Sequence, residues 1–298
     1  MPASLVLALA LIGISFAGPL VRLSHAHPLA IAIWRLGFSL IIIAIALIVT
    51  GSWRQWTRLR RSEVCLAIGA GAMLALHFWA WNSSITMTTV SASVVLVNMQ
   101  PALVALLSTV WLHERPTHRQ WLGIGVAIVG ATIVALPDFS DAGHATAGRA
   151  ILGDGLALAG AATAACYFVV GRRLRATLDI WPYVGVVYGT CFVVLLLFAA
   201  LVHAPVLSQP PRELGIFAAL AVGPMLFGHT GFNWALKYLP AYVVNLALLG
   251  EPIGATMLAA ALPGIREIPG IATLLGGALI VAGIYVTART ARRTPAAA

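Results

Sequence analysis

A single carboxylate, Glu251, stands in the middle of the apolar run YVVNLALLGEPIGATMLAAAL at 242–262. Counting from Ala241 at about 1.5 Å per residue places it about 15 Å into a membrane-spanning helix. A charge at that depth costs about 2.5–3.5 kcal/mol on insertion scales. Its chemistry there is to carry a proton or to hold a cation. Gln100 occupies the matching place in an earlier stretch. WNSSITMTTVSASVVLVNMQP at Trp81–Pro101 returns 151 residues later as FNWALKYLPAYVVNLALLGEP at Phe232–Pro252. Each stretch opens on aromatic–Asn and closes on a carboxamide or carboxylate followed by proline. A proline inside a helix cannot bond the carbonyl four residues back. Pro101 and Pro252 are therefore expected to kink their helices and free the carbonyls of Val97 and Leu248. Such carbonyls are tolerated where protein or cavity water satisfies them. Two kinked helices with a polar residue at each kink would line one midplane cavity. The alternative is that Gln100 and Glu251 only bond neighbouring helices.

Other polar side chains join this candidate set. Arg35 falls within the second apolar run, where it either snorkels outward, pairs with Glu251, or captures an anionic group of a substrate. His77 and Trp81 share a helix face with Ser84 beyond them, and His229 shares one with Asn233. Asn98 lies deep in its run, and Asn245 precedes Glu251 in the second stretch. Asn82 and Asn233 fall near helix ends, where capping is expected. Glu114 reads as a loop or cap residue. Two histidines without further ligands are not a metal site. Cys65, Cys166 and Cys191 are scattered singly, without CxxC spacing, and read as packing residues. No GxxxxGK[ST] stretch indicates nucleotide hydrolysis. No catalytic set, metal or cofactor is expected.

The elements that must position these residues are membrane helices. Of 298 residues, 60% are hydrophobic and 9% charged, against about 25% charged in a soluble domain. About 20 apolar residues cross a bilayer. Ten such runs are present, at about 3–23, 29–50, 64–82, 87–112, 119–137, 151–171, 181–203, 214–236, 241–262 and 269–289. The first lacks a basic leader and reads as a retained helix rather than a signal peptide. A net charge of +9 could indicate nucleic acid, but no polar surface is available to present it. The basic residues instead follow the positive-inside rule. Thirteen fall on the side of the N-terminus: Arg54, Arg58, Arg60, Arg61, Arg115, Arg119, Arg172, Arg173, Arg175, Lys237, Arg289, Arg292 and Arg293. Four fall opposite: Arg22, Arg149, Arg212 and Arg266. Both termini are therefore expected in the cytoplasm, in the inner membrane of the cell.

The internal resemblance extends past the two stretches. At the same offset of 151, Arg22 matches Arg173 among several Leu and Ala pairs. After two extra residues, Glu114, Pro116, Gly123 and Gly130 match Glu267, Pro269, Gly276 and Gly283. This predicts a five-helix unit at 1–137, a loop at 138–150, a second unit at 151–289 and a cytoplasmic tail at 290–298. Five is odd, so the second unit enters the bilayer inverted. Inverted repeats are a recurring plan of secondary transporters, with the substrate held near the midplane.

The stretches WRLGFSLIII, QPALVALLSTVWLHERPTHRQWLGIGVAIVGATIV and ALKYLPAYVVNLALLGEP, in this order, resemble the ten-helix EamA type of drug/metabolite transporter over essentially the whole chain. The resemblance implies an all-α integral membrane carrier of small metabolites, often an exporter, driven by protons or another gradient. Arg35 fits the family's second-helix arginine, and Glu114 and Glu267 its repeat-end glutamates. The expected partners are a small-molecule substrate, the lipid bilayer and protons as a coupling ion, with no nucleic acid and a monomeric chain. A membrane-embedded enzyme acting on lipids, and a channel or assembly factor without coupled transport, are the competing readings.

Overall fold

The computed structural model describes residues 2–85, 87–88, 93, 96–139, 147–261 and 270–290. Among these, all regular structure is helical, and helices fall on each of the ten expected runs. They are α1 (Ala3–Ser15), α2 (Ala17–Leu23), α3 (Pro28–Thr50), α4 (Arg61–Ile85), α5 (Gln100–Leu107), α6 (His118–Phe139) and α7 (Ala147–Leu174). The remainder are α8 (Ile180–Leu201), α9 (Pro211–Leu220), α10 (Thr230–Ala235), α11 (Ala241–Leu248), α12 (Glu251–Ala261) and α13 (Ile271–Thr290). Among the described residues, six helices are long and apolar enough to cross a membrane, and shorter apolar helices accompany them. The protein is an all-α, multi-pass membrane protein.

The chain forms two compact units. Met1–Ala75 and Val170–Tyr238 make up the first, Leu76–Val169 and Leu239–Thr294 the second. Each unit therefore takes helices from both of the expected repeats.

In the first unit, α3 packs against α8, and α1 packs along a π-helical segment, Ala221–His229, that joins α9 to α10. Pro224 lies inside this segment. Its missing N–H breaks the regular ladder, and the turns widen to i→i+5 spacing. Neighbouring hydroxyls bond carbonyls of this segment. The Ser39 hydroxyl reaches the Ala221 carbonyl at 3.3 Å, and Thr230 Oγ1 donates to the Met225 carbonyl at 3.0 Å. Close approach of α1 depends on glycine. A Cβ at Gly13 would lie 2.9 Å from the Gly228 nitrogen.

In the second unit, α6 and α13 meet backbone to backbone. A Cβ at Gly123 would lie 2.8 Å from the Gly283 carbonyl oxygen, and one at Gly130 would lie 2.6 Å from that of Gly276. Small residues permit such approach where lipid supplies no hydrophobic drive between helices. At the start of α11, Pro240 offers no capping side chain. Glu114 takes that role, accepting from the Ala241 N–H at 3.3 Å. A carboxylate is favoured at this end of a helix dipole. Glu267 lies outside the described residues.

Candidate functional site

The second unit holds six of the eight expected site residues: His77, Trp81, Asn98, Gln100, Asn245 and Glu251. Arg35 and His229 belong to the first.

Gln100 and Glu251 occupy equivalent places in broken helices. Instead of a kink within one continuous helix, the chain turns at Asn98–Met99 and again at Leu249–Gly250. Tight i→i+3 bonds mark each break. Met99 N donates to Leu96 O at 3.2 Å, and Leu249 N donates to Leu246 O at 3.0 Å. New helices then open on Gln100 and Glu251 themselves. Pro101 and Pro252 thus fall in the first turn of a helix, where a missing N–H costs nothing because that donor has no intrahelical partner. The physical consequence differs from that of a kink. Each polar side chain stands at a helix N-terminus, carrying roughly half a positive charge.

The second unit also holds buried hydrogen-bonding groups without partners among the described residues. Asn245 is 1% exposed on α11, which packs against α5. Neither its amide nitrogen nor its amide oxygen has a partner among the described residues, and the same holds for Asn98 Nδ2, Ser108 Oγ and Trp81 Nε1. A buried polar group left unpaired costs about 1–3 kcal/mol. The His77 ring stacks over Trp81 with centroids 6.3 Å apart and planes 4° from parallel. Its Nδ1 sits 3.0 Å from the Gly160 carbonyl oxygen. With Nδ1–H donating, Nε2 is left as the acceptor. Ser84, expected on the same face, turns back to the Trp81 carbonyl at 2.8 Å and to Ser93 at 2.5 Å.

In the first unit, Arg35 is buried on α3, and the Ser39 hydroxyl donates to its carbonyl at 2.7 Å. His229 ends the π segment, and its carbonyl accepts from Asn233 Nδ2 at 2.8 Å. Asn233 is therefore not a cap. It is fully buried and also donates to the Tyr188 hydroxyl at 3.3 Å, which lies 3.2 Å from Thr230 Oγ1.

Two arginines have a role that the sequence did not show. Arg172 and Arg175, counted among the basic residues on the side of the N-terminus, are 1% and 2% exposed. Both serve the C-terminal end of α10, where the last carbonyls of a helix lack partners. Arg172 Nη1 donates to the Leu236 carbonyl at 2.6 Å, and Arg175 Nε to the Asn233 carbonyl at 3.1 Å. Burial holds the Arg175 guanidinium down at about 10, against the opposing influence of Tyr183 and Asp179. Only the order RRLR before a short turn was visible in the sequence, and it is equally the pattern of a solvated loop. The cysteines split: Cys191 is buried, whereas Cys65 is exposed.

Comparison with known proteins agrees with this architecture. An uncharacterized transporter of Archaeoglobus fulgidus is 23% identical over 93% of this chain and 94% of its own. A probable terminal-alkyne amino-acid exporter of Streptantibioticus cattleyicolor is 29% identical over 86% of this chain and 82% of its own. One crystal structure superposes with a TM-score of 0.80 at 20% identity, covering 97% of both chains, which shows a shared fold. The pattern of the EamA-like transporter family matches residues 1–136 and again 151–289. With both halves matched, the chain belongs to the EamA-like transporter family.

Proposed function

We propose that this membrane transporter is a secondary active exporter of a small organic solute, working by alternating access and coupled to protons. The observation that carries this reading is the pair of helix breaks that open on Gln100 and Glu251. Half-helix N-termini are suited to an anionic group of a substrate, and a carboxylate at the second of them to a cation or a proton. A zwitterion such as an amino acid carries both charges, and one relative is described as an amino-acid exporter. Asn98 Nδ2 and both amide atoms of Asn245, without partners among the described residues, offer further donors and an acceptor. Uptake of a panel of labelled amino acids and other small metabolites into proteoliposomes with an imposed pH gradient tests the proposal. Saturable flux of at least one solute that collapses with a protonophore is expected. Flux that neither saturates nor responds to the protonophore for any solute supports a channel and removes the proposal.

The inferred orientation, with both termini in the cytoplasm, rests on the thirteen-to-four distribution of basic residues. Cysteines introduced in 51–63 should react only from the cytoplasmic side, and those in 138–150 only from outside. Reaction of both from one side rules out this topology.

A further inference from the structure

A cavity of about 500 Å³ opens in the first unit. Its walls come from the end of α3, the 3₁₀ turn Ser52–Arg58, the turn before α8 and the residues following α10. Gly51, in the left-handed region at φ 64°, lets the chain leave α3 abruptly and lay the 3₁₀ turn along the rim.

The charge of this cavity is unbalanced. Arg54, Arg58, Arg175 and Lys237 line it against one carboxylate, Asp179. That carboxylate is already engaged. Gln55 Nε2 donates to Asp179 Oδ2 at 2.6 Å, and Lys237 Nζ approaches Oδ1 at 3.3 Å. The Gln55 hydrogen bond above all, with Lys237 adding to it, holds the Asp179 carboxyl below its usual range. Arg175 has its Nε and Nη1 committed to backbone carbonyls and contributes field from behind the wall. Arg54 and Arg58 are exposed, and neither has a carboxylate partner among the described residues. Arg54 lies 5.7 Å from the centre of the Trp53 ring. Trp181, Trp234 and Tyr238 complete the lining, the kind of aromatic residue that gathers at the level of lipid headgroups.

We propose that this cavity is a binding site for a phosphate-bearing anion, with the Arg54 and Arg58 guanidinium groups on its oxygens and Lys237 beside them. The planar fork of arginine matches two phosphate oxygens at once, whereas lysine acts as a point charge. Phospholipid headgroups and soluble phosphate present the same chemistry, and basic pockets at the cytoplasmic ends of membrane helices take such headgroups. The site is independent of the transport reading, because binding is measured without flux.

The full chain, purified in neutral detergent, is to be compared with the Arg54→Gln/Arg58→Gln double variant by native mass spectrometry and thermal melting. The probes are phosphatidylglycerol against phosphatidylcholine, and inorganic phosphate against chloride at equal ionic strength. Wild type is expected to retain at least tenfold more phosphatidylglycerol than the variant, or to gain several degrees of melting temperature in phosphate that the variant does not. The first result identifies a lipid headgroup as the ligand, and the second a soluble anion. Arg289→Gln, at an exposed position near the end of α13, should leave both readouts unchanged. Wild type that distinguishes neither pair of probes overturns the proposal. So does equal binding by the double variant, or an equal loss in Arg289→Gln.

Discussion

Glu251→Gln is expected to yield a folded protein that no longer moves solute in response to a pH gradient. The substitution keeps the size of the side chain and removes only its ability to exchange a proton. Local geometry should accept the amide, because Gln100 occupies the equivalent first position of α5 after the same kind of turn. Folding and coupling are thereby separated. A merely structural carboxylate would reveal itself as lost stability, since a partner left buried and unpaired is costly. A coupling carboxylate would reveal itself in flux alone. The pH-dependent component should fall by at least about tenfold, which corresponds to about 1.4 kcal/mol of lost barrier reduction, while the melting temperature stays near that of wild type. Glu251→Asp should retain part of the pH dependence. Wild-type pH-dependent transport by purified Glu251→Gln would exclude Glu251 as the coupling group.

Gly283→Leu should prevent α6 and α13 from packing and sharply lower the yield of folded protein. Even a single Cβ at this position would fall into the Gly123 carbonyl oxygen and lie 2.7 Å from the Ala127 nitrogen. Both are backbone atoms, so no side-chain rotation relieves the contact and the helices must separate. Gly283→Ala is expected to cost about 1–3 kcal/mol, the range for an overpacked interior, and the leucine variant more. Gly125→Ala is the internal control, because nothing lies within 4 Å of its added Cβ. Thermal melts of the three variants in one detergent check this. Melting of Gly283→Leu within about a degree of Gly125→Ala would show that the close approach does not support the fold.

The features legible in the sequence were those written as periods or runs. Apolar stretches of bilayer length announced the membrane helices. Features that depend on two distant segments were not legible. Nothing local distinguishes Arg172 and Arg175 from loop arginines, because their role is set by the carbonyls of Asn233 and Leu236, roughly 60 positions away. Asn233 was read as a cap for the same reason, its partner Tyr188 lying on another helix. The prolines show a subtler limit. Pro101 certified that the ladder must fail nearby, but not whether the helix would bend or stop. The turn at Asn98–Met99 decides that, and the chain restarts so that the proline loses no bond. Pro224 had the opposite outcome, with the helix continuing through it in widened π turns.

The seam between α6 and α13 has a consequence for how this chain could have diverged. Gly123 meets Gly283, and Gly130 meets Gly276. Under the proposed repeat, Gly123 corresponds to Gly276 and Gly130 to Gly283, so each glycine meets the counterpart of the other. That is the reciprocity of an isologous contact, in which one patch serves both sides of a twofold axis. Two separate copies of a single five-helix chain, inserted in opposite directions, could make this contact unaided. In such a pair every substitution strikes twice, and a carboxylate placed at one helix break necessarily appears at the other. Fusion into one chain lifts that constraint. The seam can stay symmetric while the breaks differ, one bearing the acid Glu251 and the other the neutral Gln100.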